Sequence, residues 1–169
     1  MSKIKLRALE PKDLDFLYEI ENDTDLWHVS QTHQPFSAHL LQQYIAKADQ
    51  DIYSARQFRF AIETGNGTLA GFIDLFDFDP KNKRAGIGIV IHNKYRKKGY
   101  AKAALKQVIA YGFKILYLHQ LYANIAVNNL PSVQLFETAG FQLAGIKKDW
   151  LFDGDNYTDE ALYQLIKQT

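Results

Sequence analysis

The apolar run Ala85-Gly86-Ile87-Gly88-Ile89-Val90-Ile91 contains no charged residue and is rich in β-branched side chains, the pattern of a strand covered on both faces. It leads through Arg96-Lys97-Lys98-Gly99-Tyr100-Ala101 into a stretch from about Gly99 to about Leu116. There Ala101, Ala104, Leu105, Val108, Ile109, Gly112 and Phe113 recur at helical spacing. A strand buried on both sides requires a sheet with helices against each face, so the chain is expected to be α/β. Gly86 and Gly88 lie inside the strand, where glycine marks a bulge or a close approach by another backbone or a ligand.

The other elements fit around this unit. Ile4, Leu6 and Ala8 alternate with Lys5 and Arg7 as a first short strand. Pro11 opens a helix with Leu14, Leu17, Tyr18 and Glu21 along one side and Asp13 and Asp15 at the positive end of its dipole. A loop from Asn22 to Phe36 follows, and Ser37 caps a second helix with Leu40, Leu41, Tyr44, Ile45 and Ala48 as its apolar face. Phe58, Phe60 and Ile62 alternate with Arg59 and Ala61, and Gly65-Asn66-Gly67 turns the chain into a run from Leu69 to Phe78. That glycine pair also matches the loose pattern G-x-G-x-x-A, but a strand follows where dinucleotide binding requires a helix, so it reads as a hairpin turn.

Beyond the long helix, Leu121, Ala123, Ile125 and Val127 alternate with Tyr122, Asn124 and Ala126 as a strand. Pro131 sits in the first turn of a helix running to about Thr138 and stopped by Gly140. Phe141 to Lys147 and Tyr157 to Ile166 are the last two strands, joined through Asp153-Gly154-Asp155-Asn156. The order β-α-α-β-β-β-α-β-α-β-β predicts a mixed sheet of about seven strands flanked by helices, in a single domain over residues 1–169.

Charge narrows the functional classes. Twenty Lys and Arg against nineteen Asp and Glu leave a net charge of +1, so no global field draws the chain to nucleic acid or an anionic membrane, and neither is expected as a partner. The absence of cysteine removes disulfides, thiolate zinc sites and a cysteine nucleophile. His28, His33, His39, His92 and His119 show no metal-ligand spacing, so no metal is expected. With no apolar signal segment at Met1-Ser2-Lys3-Ile4-Lys5-Leu6-Arg7 and no run of about 18 apolar residues, a cytoplasmic protein is expected.

Anion binding must therefore be local. In Arg96 to Ala101, small residues leave backbone amides accessible, the helix dipole adds partial positive charge, and three cations stand just before it. Strand, Arg96-Lys97-Lys98-Gly99-Tyr100-Ala101 and helix resemble the pyrophosphate-binding [RQ]-x-x-G-x-[GA] motif of the GCN5-related N-acetyltransferases. Asn129-Leu130-Pro131-Ser132 followed by Ala139-Gly140-Phe141 resembles the N-x-x-[SA] to G-F segment of the same superfamily, and Asp153 to Asp159 resembles its closing hairpin in the branch with spermidine and ribosomal-protein alanine acetyltransferases. The resemblance runs from about Ile4 to about Ile166 and leans toward the spermidine acetyltransferases.

The resemblance implies acetyl-CoA as cosubstrate and direct attack by an amine on its thioester. The backbone of Ile89, Val90 and Ile91 would pair with the pantetheine, and Arg96, Lys97, Lys98, Gly99, Tyr100 and Ala101 would hold the pyrophosphate. Asn129, Ser132 and Phe136 would complete the cofactor site, and a bulge in the central strand would open the sheet. Trp27, His28, Phe36 and Tyr44 would wall the acceptor site. A small primary amine is the expected acceptor, a polyamine first; aminosugar nucleotides and protein N-termini stay open, as does self-association.

Two positions depart from the branch's pattern. Gly86 stands where a glutamate often serves as general base, and Phe136 stands where a tyrosine is the usual general acid, although a phenyl ring cannot donate a proton. Asp74 and Asp77 are the substitute base candidates; three apart on one strand, they are expected to face opposite sides. Tyr157 or Tyr100 is the substitute acid candidate. A coenzyme A-binding regulatory module that has lost catalysis is the alternative that this double loss supports.

Overall fold

The computed structural model describes residues 3–168. Strand β1 (Ile4–Arg7) is followed by a 3-10 turn at Pro11–Asp13 and helix α1 (Leu14–Glu21). Two elements lie in the segment expected to be a loop: a 3-10 turn at Thr24–Leu26 and the single turn α2 (Trp27–Ser30). Helix α3 (Ala38–Ala46) is capped by Ser37, whose hydroxyl accepts the Leu40 N–H at 3.1 Å. A further turn, α4 (Ile52–Ala55), precedes β2 (Phe58–Thr64), β3 (Leu69–Asp79) and β4 (Arg84–Ile91). Then come α5 (Tyr100–Lys114), β5 (Gln120–Ala126), α6 (Leu130–Thr138), β6 (Gln142–Phe152) and β7 (Tyr157–Ile166).

The strands form one mixed sheet in the order β1-β2-β3-β4-β5-β7-β6. Neighbours pair antiparallel except β4 with β5, which run parallel because α5 carries the chain across between them. Gly65-Asn66-Gly67 is the hairpin turn: Thr64 N–H donates to Thr68 O at 2.8 Å, and Gly67 takes the left-handed conformation at φ 83° that a side chain resists. Each face carries its own apolar layer. Ile73, Leu75, Ile87 and Ile91 meet Leu105 and Val108 of α5 and Phe136 of α6 on one face. On the other, Ala61 and Phe72 meet Leu17 and Ile20 of α1 and Leu41 and Ile45 of α3.

Two backbone features place the site. Paired positions of β4 and β5 end at Gly86↔Tyr122 although β4 continues to Ile91 and β5 to Ala126. The strands thus part in a V with its apex at Gly86 and Tyr122. Contrary to expectation, no bulge in β4 opens it, since β4 keeps continuous register with β3 from Ile91 to Gly86. The bulge lies in β3, where Phe76 pairs with Gly86 and Asp79 with Arg84, inserting one residue, and Asp77 adopts φ 46°.

Candidate active site

Strand parity decides which backbone groups face the V. His92 N–H donates to Ala70 O at 2.9 Å, so even-numbered residues of β4 turn their amides toward β3 and Ile89 and Ile91 turn theirs toward the opening. Val90, expected among the pairing residues, is spent on β3 opposite Phe72. Its side chain packs instead against the α1–α3 layer. The Ile91 carbonyl already accepts Arg96 Nε at 3.1 Å, which ties the basic turn to the end of β4.

That turn runs directly into the N-terminus of α5. Lys97 at φ 59° and Gly99 at φ 79° are both left-handed, with Gly99 capping α5. The first-turn amides of Tyr100, Ala101 and Lys102 have no carbonyl ahead of them in the helix and point out of its positive end. Lys98 lies with Nζ 5.4 Å from the Tyr95 ring centroid. Across the V, Asn129 caps α6, its side-chain oxygen accepting the Ser132 N–H at 3.4 Å. Phe136 is 2 % exposed and edge-on to Phe141 at 5.0 Å, so its ring supports this wall from behind and offers almost no surface to the opening.

On the α1–α3 face, Tyr44 lines a small pocket with Gln57, Arg59, Asp74 and Phe76. Arg59 organises it. Its Nε and Nη2 donate to the two Asp74 carboxylate oxygens at 2.7 and 2.8 Å, its Nη1 donates to Glu21 at 2.5 Å, and its guanidinium lies 5.3 Å from the Phe72 ring centroid and 5.8 Å from that of Tyr44. Burial works against the charge, but the Asp74 and Glu21 carboxylates outweigh it and hold the guanidinium above its ordinary range. Burial raises the Tyr44 phenol, which keeps it neutral.

Trp27, His28 and Phe36 are not among the residues that line this pocket, although Phe36 packs on the same apolar layer as Tyr44. The Trp27 indole N–H donates to Glu21 O at 2.9 Å, His28 is exposed, and Phe36 is held through its backbone by Asn22, whose side chain accepts from Phe36 N–H at 2.8 Å and donates to Phe36 O at 3.1 Å.

The β3 bulge breaks the alternation on which the expected division of Asp74 and Asp77 between faces rests. Phe76 meets Tyr122 on the α1–α3 face, yet Phe78 lies in the α5 layer, so alternation fails between them. Asp77, within the bulge, is exposed and directly follows Phe76 in the chain.

Gly86 has a direct physical cause. A Cβ there would lie 2.9 Å from Phe76 Cε1 and closer still to Cε2 and Cζ, so the ring fills the space a side chain would use. Tyr157 is remote from the apex: it is 62 % exposed beside Phe152. It stands seven residues along β7 from Gln164, the partner of Tyr122, or roughly 23 Å at a strand's rise per residue. Tyr100 packs its side chain into the α5 layer at the start of that helix.

A mixed sheet whose parallel pair opens beside a basic, left-handed turn at a helix N-terminus gathers free backbone groups and a positive helix end at one cleft. An acetyltransferase (GNAT) domain model matches residues 3–142, and the chain belongs to that family. The spermidine N(1)-acetyltransferase of Vibrio cholerae is 28% identical over 160 residues, covering 94% of this chain and 90% of that one. The putative ribosomal N-acetyltransferase YdaF of Bacillus subtilis is 32% identical, covering 98% and 92%. The crystal structure of the Vibrio cholerae spermidine N-acetyltransferase in complex with CoA and spermine superposes with a TM-score of 0.88 at 27% identity, covering 96% and 95%. Other structures of that enzyme are a dodecamer and a complex with manganese ions. Among the described residues of the present chain, no group of three or more His, Asp or Glu is gathered to hold a metal, and no helix is long and apolar enough to cross a membrane.

Residues 21, 59, 76 and 122 were not singled out from the sequence. The Arg59–Asp74 pairing follows from hairpin register, but an irregularity between Ile62 and Glu63 shifts that register by one residue and hides the partnership.

Proposed function

We propose that residues 1–169 act as one N-acetyltransferase domain moving the acetyl group of acetyl-CoA to a primary amine, with small amines and polyamines as the favoured acceptors. The carrying observation is the parting of β4 and β5 beyond Gly86↔Tyr122 beside the Arg96–Ala101 turn. Ile89 and Ile91 would pair with the pantetheine as a missing strand would, and the left-handed turn with the first-turn amides of α5 would take the pyrophosphate. The bound thioester supplies an activated acetyl carbon. The chain supplies alignment, which in model reactions is worth up to about 7–11 kcal/mol.

A polyamine is favoured because the acceptor wall holds two carboxylates, Glu21 and Asp74, against the single charge of Arg59, and because the Vibrio cholerae relative is described with spermine. Asp74 acts here through its pairing with Arg59, as part of a shared negative wall. Self-association, as in the dodecameric relative, belongs to the same reading.

A thiol-release assay with acetyl-CoA across spermidine, spermine, amino sugars and short peptides tests this, with the product identified by mass. Acetylated spermidine or spermine is the expected result, and release confined to amino sugars or peptide N-termini would replace the acceptor. Tight coenzyme A binding without thiol release on any amine would favour the second reading, a regulatory module, which the occupied space at Gly86 and the unreactive ring of Phe136 support.

A further inference from the structure

An alkylamine with a pKa near ~10.4 is almost wholly protonated at neutral pH, so a proton must leave before the nitrogen can attack. Gly86 offers no side chain, and Phe76 covers its place. Asp74 is held bidentately by Arg59, and His92 is engaged by Glu19 at 2.9 Å and by the Lys94 N–H at 3.2 Å. One polar side chain stands at the apex itself. Tyr122 is the β5 partner of Gly86, half-buried, its ring 5.9 Å from that of Phe76 and nearly perpendicular to it. Among the described residues its hydroxyl makes no hydrogen bond.

The opening also has a direction. The basic turn lies beyond the wide end of the V, so a chain anchored there and laid along Ile91 and Ile89 points its reactive end toward Gly86 and Tyr122. Asp77, exposed and left-handed in the β3 bulge, directly follows Phe76, whose ring meets that of Tyr122.

We propose that Tyr122 is the group that relieves the bound ammonium of its proton, accepting it at the phenolic oxygen while its own proton passes through solvent water to Asp77. The proposal deepens the acetyltransferase reading and rests on it. The freed nitrogen bonds to the acetyl carbon, the carbon–sulfur bond breaks with its electron pair leaving on sulfur, and the thiolate recovers a proton from water. Asp77 then yields the relayed proton to bulk water, and the second amine proton, lost on forming the amide, also goes to water, so atoms and charge balance.

A relay of this kind needs a phenol that stays neutral, with oxygen free to accept and hydrogen free to donate. Burial raises the Tyr122 pKa, and the charges of Asp77 and Asp79 add to this while Arg84 opposes it. These are the ionisable groups acting on the hydroxyl.

Tyr122→Phe keeps the ring against Phe76 and removes only the relay. With the amine that the wild-type protein acetylates best, its kcat at neutral pH is expected to fall by about 10²-fold or more, the range for loss of an acid–base group. Coenzyme A affinity and melting temperature should not change, and the deficit should narrow as pH rises toward the amine's own pKa. Asp77→Asn, at an exposed position, is expected to lose rate in the same direction by a smaller factor. Full activity in Tyr122→Phe, a deficit independent of pH, or no effect of Asp77→Asn would overturn the relay while leaving the acetyltransferase reading intact. A wild-type protein that acetylates no amine would overturn both.

Discussion

Placing a methyl group at Gly86 tests the packing that separates this site from a carboxylate-bearing one. Gly86→Ala would drive its Cβ into the Phe76 ring, which cannot swing freely because its edge meets Tyr122 at 5.9 Å between centroids. Overpacking of this kind costs about 1–3 kcal/mol. For a chain of this size each kcal/mol lowers Tm by about 2–4 °C. Gly86 is not in the left-handed region, so the cost is steric. In a Phe76→Ala background the obstacle is gone, and alanine should be neutral or stabilise by up to about 1 kcal/mol through the strand's lower unfolded-state entropy. A double-mutant cycle by urea or thermal unfolding should return a coupling of about 1–3 kcal/mol. Gly86→Ala costing the same in both backgrounds would refute the argument. The functional extension is Gly86→Glu with Phe76→Val, which makes room for a carboxylate at the apex and should raise turnover on the preferred amine.

Other outcomes follow from the ion pairs. Arg59→Ala strands Glu21 and Asp74 and should cost about 3 kcal/mol or more in urea unfolding; among folded molecules it should lower KM for a polyamine, because the wall becomes more negative. At Asp13, 3 % exposed, burial pushes the carboxyl up, but hydrogen bonds from Arg7 and the Glu10 N–H and the Arg7 charge outweigh it and hold the pKa below the usual value. Because the folded pKa lies below the unfolded one, the stabilisation is full above pH about 4 and is lost as pH falls through the folded value. Asp13→Asn should therefore cost about 3 kcal/mol at neutral pH and progressively less in acid, seen as convergence of the two stability–pH curves.

The legible parts were those set by local chemistry. Alternation in three segments, runs of β formers and turn signals in the others placed all seven strands in order, Ser37 marked the start of α3, and Gly99 after three cations marked the basic turn at the head of α5. The bulge at Asp77 and the register shift beside Glu63 were not legible, because Phe76-Asp77-Phe78 reads as unbroken alternation although the two rings lie on opposite faces, and the shift beside Glu63 depends on how the hairpin closes. Both matter at the site: one brings Arg59 opposite Asp74, and the other leaves Phe76 against Tyr122 while Phe78 enters the opposite layer. The single turns at Trp27–Ser30 and Ile52–Ala55 are too short to show a helical period. Strand β6 extends to Phe152, past its expected end at Lys147, because pairing with β7 resumes at Leu151↔Thr158 after an irregular step. Phe136 could be recognised as lacking a hydroxyl, but its enclosure behind the wall depends on how α6 packs on Phe141.

Calorimetric titration with coenzyme A, on the wild-type chain and on Gly99→Val and Arg96→Ala, tests the central claim most directly. The wild type should bind with a Kd in the micromolar range or tighter, worth about 8 kcal/mol or more. Arg96→Ala should weaken binding several-fold by removing a charge-assisted contact to phosphate. Gly99→Val should weaken it further, since Gly99 is left-handed at φ 79° and a branched side chain cannot hold the turn in that shape. No heat of binding at ~1 mM coenzyme A, or unchanged affinity in both folded variants, would contradict the assignment of the V between β4 and β5 as the cofactor site.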